Sequence, residues 1–139
     1  MPLGNGLGEF VLKATSVRHS DLGGGQTRIE VDFNGESKGQ LTGLALGTLT
    51  VTVSASTMHT PNPWTFIGNI LGNGGEVVAI SGQGMGMRTG DGHKIRYRGA
   101  VRYMTADPKL AALNNVLAAV ESEADPATMT LKGAACEWK

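Results

Sequence analysis

Residues 76–104 read EVVAISGQGMGMRTGDGHKIRYRGAVRYM, two alternating runs joined at Thr89-Gly90-Asp91-Gly92. An Asp-Gly pair between such runs marks a hairpin, because the tight turns that match the twist of antiparallel strands need positive φ. In the first run Gly82, Gly84 and Gly86 fall on one face, and Gln83, Met85 and Met87 on the other. In the second, Ile95, Tyr97, Gly99, Val101 and Tyr103 share a face opposite Lys94, Arg96, Arg98 and Arg102. Glycine weakens a strand unless the sheet must bend or a neighbour must come close. Three on one face therefore predict a curved sheet around a space that holds a ligand or large facing side chains.

The same rhythm recurs along the chain. Strands are expected over 9–17, 26–34, 38–46, 48–56 and 64–71, and again over 116–123 and 128–138. Turns are expected at 21–25, at Asn34-Gly35, at 72–75 and at Asp125-Pro126. Two prolines make 57–63 a loop. Asp107 suits a helix cap and Pro108 its first turn, with Leu110, Leu113 and Leu117 at helical spacing and Asn114-Asn115 closing it. Residues 1–8 read as a flexible Gly-rich arm, and 9–139 as one domain. The expected fold is all-β: a single antiparallel β-barrel of about eight strands with one short helix. With 21 glycines placed between or within strand-like runs rather than in repeats, a turn-rich β fold accounts for the composition better than disorder does.

Composition narrows the partners. The formal net charge is zero and no basic run is present, so no nucleic acid is expected. No run reaches the roughly 18 apolar residues of a membrane span, so no membrane is expected. The start has no leader-like pattern, and Cys136 is the single cysteine, expected as a small buried group. A soluble, cytoplasmic chain is the expectation. The Gly-rich start and modest charge favour a homodimer.

The segment RYRGAVRYMTADPKLAALNNVLAAVESEAD resembles a family of mostly uncharacterised bacterial proteins with a lipocalin-like barrel. The matching residues are Thr105, Asp107, Pro108, Leu113 and Asn114; Ala112 stands where that family often has Trp. Barrels related in architecture include the allene oxide cyclases and other small cofactor-free cyclases. The resemblance implies a barrel with an internal pocket and names no substrate.

The chemistry is sparse. His19, His59 and His93 form no paired metal motif, so no metal site is expected, and no cofactor either. Gly82-Gln-Gly-Met-Gly86 runs on into a strand, whereas a phosphate-binding glycine loop needs a helix N-terminus behind it. His59, in the Pro-bounded loop before Trp64, has a titration range suited to acid–base work. Tyr97 and Tyr103 are expected to face inward, where a phenol can polarise a carbonyl. Glu121 is the candidate inward carboxylate, and Arg28, Glu30 and Asp32 are read as an outer face. The interior is expected to be apolar and Met-rich, lined by Trp64, Phe66, Met85, Met87 and Tyr103. The first functional reading is a cofactor-independent isomerase, cyclase or lyase acting on a small hydrophobic metabolite, with His59 or Glu121 as base and Tyr97 stabilising negative charge. The second is a carrier or sensor of a hydrophobic small molecule; the third is a structural barrel.

Overall fold

The alternating runs form eight antiparallel strands that close on themselves, each paired with its chain neighbours and the first with the last. The computed structural model describes residues 3–55, 61–90 and 92–138. The strands are β1 (Leu3–Gly23), β2 (Gln26–Gly39), β3 (Gly43–Ser54), β4 (Asn62–Gly72), β5 (Val77–Arg88), β6 (Ile95–Thr105), β7 (Leu117–Asp125) and β8 (Thr130–Trp138). A 3-10 helix, Pro108–Asn115, links β6 to β7.

Four expectations are corrected. The arm is part of β1: its backbone pairs with β8 from Leu3 opposite Trp138 onward, so closure of the barrel uses it. His19 lies in β1, beyond the expected strand end at Val17, because β1 runs on to Gly23 against β2. Asn34-Gly35 is not a turn. Gly35 sits in mid-strand between Leu12 and Ala45, where an added Cβ would strike the Val11 carbonyl oxygen. The reversal falls after Gly39, whose φ of 102° suits glycine, and Thr42 Oγ1 donates to the Gly39 carbonyl at 2.7 Å. The expected break at Gly47 is likewise the middle of β3.

Inward glycines seat rings from neighbouring strands. Phe66 packs where side chains at Gly47 and Gly68 would stand. The Tyr97 ring would lie 2.6 Å from a Cβ at Gly86, Trp64 Cζ2 2.7 Å from one at Gly99, and Phe10 Cζ 2.7 Å from one at Gly133. The register explains this. Trp64, Gly84 and Gly99 form one row across β4, β5 and β6, and Gly86, Tyr97 and Ser122 form another across β5, β6 and β7. Large and absent side chains alternate around the wall, so a narrow tube accepts these rings.

The 3-10 helix packs against one end. Asp107 Oδ1 accepts from the Lys109 backbone N–H at 2.8 Å, capping the helix that Pro108 begins. Leu113 is buried in the core. Asn114 then fastens the helix to β6: its Oδ1 accepts the Thr105 N–H at 2.8 Å and its Nδ2 donates to the Thr105 carbonyl at 3.0 Å. Thr105 Oγ1 donates to the Val77 carbonyl on β5 at 2.8 Å. Each residue of the Thr105-Asp107-Pro108-Leu113-Asn114 pattern therefore has a part in holding this end.

Outside, the charged face of β2 is solvated as expected. Asp32 accepts from Ser16 Oγ at 2.6 Å, Thr48 Oγ1 at 2.7 Å and Arg18 Nη1 at 2.9 Å. Those hydrogen bonds, with Ser16 first, hold its carboxyl far below the usual carboxylate range. The cluster braces the register shift between Ala14 and Ser16.

Two substitutions test these devices by thermal and urea unfolding. Gly99→Ala forces its Cβ against Trp64 and the Gln83 backbone and is expected to cost about 2–3 kcal/mol, whereas Gly6→Ala, with open space at that position, stays within about 0.5 kcal/mol of wild type. Asn114→Ala removes both bonds to Thr105 and is expected to cost about 2 kcal/mol, with loss of amide-exchange protection at Thr105.

Candidate functional site: a neutral cavity inside the barrel

The rings do not fill the tube. A cavity of about 90 Å³ remains among Phe10, Leu12, Leu49, Trp64, Phe66, Tyr97, Val101, Tyr103, Val120 and Ala135, with Ser37 and Ser122 as its other hydroxyls. That is several times the roughly 10–15 Å³ that one water needs, and smaller than the roughly 150 Å³ that accommodates benzene. Among the described residues, no lining side chain is a carboxylate, an amine, a guanidinium, an imidazole or a cysteine. The polar groups are two phenols, two serine hydroxyls and the Trp64 indole N–H.

Each of these groups is placed by a strand. Tyr97 and Tyr103 lie on the inward face of β6 with Val101 between them, and all three are buried. Trp64 enters from β4. Its Nε1 donates to the Arg98 carbonyl at 3.3 Å, and its ring meets Tyr97 edge-on, with centroids 6.3 Å apart and planes at 86°. This contact fixes the Tyr97 ring and uses up the indole donor. Ser122 stands directly opposite Tyr97 on β7. Neither phenol and neither serine hydroxyl has a hydrogen-bond partner among the described residues, and no fully enclosed side-chain N or O there is left unpaired. The four oxygens therefore open onto the cavity.

Desolvation pushes both phenols up to about 12, with a smaller contribution from Cys136 at Tyr103. At neutral pH the cavity holds protonated O–H donors and no charge. An ionised ligand would meet no counter-charge there and would lose its hydration. An uncharged apolar molecule with an accepting oxygen loses little and gains a hydrogen bond.

The sequence-based site residues divide. Trp64, Phe66, Tyr97 and Tyr103 come together in the cavity as expected. Met85 and Met87 do not: they alternate with the inward Gly84 and Gly86, so they point outward, 47% and 44% exposed. Glu121 is also outside. Val120 and Ser122 take the inward positions on β7, and the Glu121 carboxylate, 60% exposed, lies 3.6 Å from Arg98 Nε and 3.8 Å from Arg96 Nε. Such a pair is solvated and contributes little. His59 lies outside the described residues. Cys136 is half-buried, opposite Ala119. Ser37 and Ser122 were missed. The alternation Val120-Glu121-Ser122 carried the signal for Ser122, whereas the misread turn at Asn34-Gly35 hid the face on which Ser37 lies. Among the described residues no three His, Cys, Asp or Glu side chains cluster as metal ligands would. No described helix is long and apolar enough to cross a membrane.

Fold and site together define a closed eight-stranded antiparallel barrel around a small neutral cavity. No protein-family model and no curated protein matches the chain. Solved structures do. A protein of unknown function from Clostridium acetobutylicum ATCC 824 superposes with a TM-score of 0.82 at 12% identity, over 100% of both chains. A conserved protein of unknown function from Rhodopseudomonas palustris gives 0.80 at 14%, over 99% of this chain and 98% of that one. An enzyme from Penicillium herquei gives 0.63 at 16%, over 99% and 97%. At these identities the likeness establishes the fold.

The raised phenols make a pH prediction. Below about pH 10 a phenol is protonated in both the folded and the unfolded chain, and its contribution to stability is complete. Between 10 and about 12 the unfolded phenol ionises while the folded one holds its proton, so stability falls. The expected loss is about 2–3 kcal/mol per phenol by pH 12. Urea unfolding from pH 8 to 12 checks this; Tyr97→Phe and Tyr103→Phe should each flatten the decline.

Proposed function

We propose that this barrel binds a small, uncharged, largely apolar molecule bearing a hydrogen-bond-accepting oxygen. The observation that carries the reading is the pairing, among the described residues, of an uncharged lining with phenol and serine hydroxyls that have no protein partner. The cavity size suits about four or five non-hydrogen atoms. At a ceiling of roughly 1.5 kcal/mol per atom, the dissociation constant is then no tighter than about micromolar. A carrier or sensor needs nothing further.

A second reading, a cofactor-independent isomerase, cyclase or lyase, is favoured by one feature: Tyr97 is a protonated, edge-packed donor of the kind that polarises a carbonyl. The Penicillium herquei enzyme with the same fold and the resemblance to allene oxide cyclase-like and lipocalin-like barrels support it. In that reading Tyr97 stabilises developing negative charge and His59 is the proposed base, since Glu121 sits on the outer surface.

Cyclobutanone, 2-butanone and cyclopentane are suitable probes. In a Trp138→Phe background, Trp64 fluorescence should report saturable binding, with the ketones about 10-fold tighter than the hydrocarbon. The Tyr97→Phe/Tyr103→Phe double variant should erase that preference, and Ala135→Leu should abolish binding by filling the cavity. Absence of saturable binding, or undiminished binding to Ala135→Leu, would overturn the proposal.

A further inference from the structure

The outer wall of the barrel is not uniform. Between Lys38 and Arg88 the chain has a single Asp, Glu, Lys or Arg, which is Glu76, in the turn between β4 and β5. The outer faces of β3, β4 and β5 up to Met87 are therefore free of charge. The other strands carry the ions: Lys13 and Arg18 on β1, Arg28 to Asp32 on β2, Arg96 to Arg102 on β6, and Glu121 and Glu123 on β7. Half the wall is ionic and half is not.

On the uncharged half, large apolar side chains are contiguous. Leu44, Leu71 and Val77 form one outward row across β3, β4 and β5. The next row runs Leu46, Asn69, Ala79 and Met104, and the one after it centres on Ile67. Ile67 is 69% exposed and Met104 71%, and the other four large residues stand between 37% and 51%. Their exposed surface amounts to about 600 Å², at the upper limit of the largest apolar patch on a typical monomer. With the intervening Thr, Ser and Ala it approaches the roughly 800 Å² that each partner contributes to a stable complex.

We propose that this face is the two-fold interface of a homodimer, with a second copy of the same chain packed on β3 to β5. A two-fold axis lays a patch against itself, so any net charge on it meets like charge. This patch has none, and it is continuous over three strands. A membrane surface is less suited, because the six apolar side chains are flanked by Glu36 on β2 and a single Arg102 on β6 rather than by a ring of lysines and arginines that would engage lipid headgroups, and include no aromatic residue for the interface.

Sedimentation of the full chain from 1 to 100 µM tests it. Wild type should sediment at twice the 14.5 kDa chain mass. Ile67→Lys and Met104→Lys, on exposed positions of different strands, should each weaken self-association by roughly 30-fold or more while keeping the wild-type circular dichroism spectrum. Lys13→Ala, on the charged half, should leave the dimer intact. A wild-type chain that is monomeric at 100 µM overturns the proposal. So does a dimer that survives both lysine substitutions, and so does a monomer that instead co-floats with phosphatidylcholine vesicles.

Discussion

The barrel depends on rings lying against glycines. Trp64, Tyr97, Phe66 and Phe10 each occupy volume that a side chain on another strand would otherwise fill. A tube of eight strands has an interior barely wide enough for its own side chains. Four rings pointing into it would burst it if their cross-strand neighbours also had side chains. Removing those neighbours lets the backbones approach, steepens the curvature and seats each ring in a fixed position. The entropic cost of so many glycines in strands is of the order of 0.5–1 kcal/mol each, and burial of the aromatic surface offsets it.

The same arrangement sets the chemistry of the interior. The rings and aliphatic residues bury the phenols that face the cavity, and that desolvation keeps them protonated. Ion pairs lie on the outer wall, where Asp32 is held by Ser16, Thr48 and Arg18, and Glu121 lies beside Arg96 and Arg98. What the cavity offers a guest is shape, hydrophobic contact and a few O–H donors.

Much of this was legible from alternation alone. The inward face of β6, with Tyr97, Val101 and Tyr103, follows from period two, and so do the closed all-β fold and the helix that starts at Asp107-Pro108. The errors have a common physical origin. Glycine marks both a turn and a close approach inside a sheet, and a short stretch does not distinguish them. Asn34-Gly35 looked like a hairpin, but Gly35 makes room for the neighbouring strand at Val11 and Leu12. Met85 and Met87 were placed inside on hydrophobicity, although period two had already given that side to Gly84 and Gly86. Glu121 was placed by the attraction of a carboxylate in a cavity, against the alternation that puts Val120 and Ser122 within. The pairing of Tyr97 with Ser122 needs the register between β6 and β7, which no single segment contains.

A residue whose seat is the absence of another cannot change by itself. Enlarging the glycine collides with the ring, and shrinking the ring leaves a void beside the glycine. Along a line of descent such couples are frozen, since every intermediate is less fit than either end. Leu49, Val120 and Ala135 line the same hollow without that constraint. Drift in what a barrel of this construction accommodates is therefore channelled through a few aliphatic positions, while its aromatic skeleton is inherited unchanged.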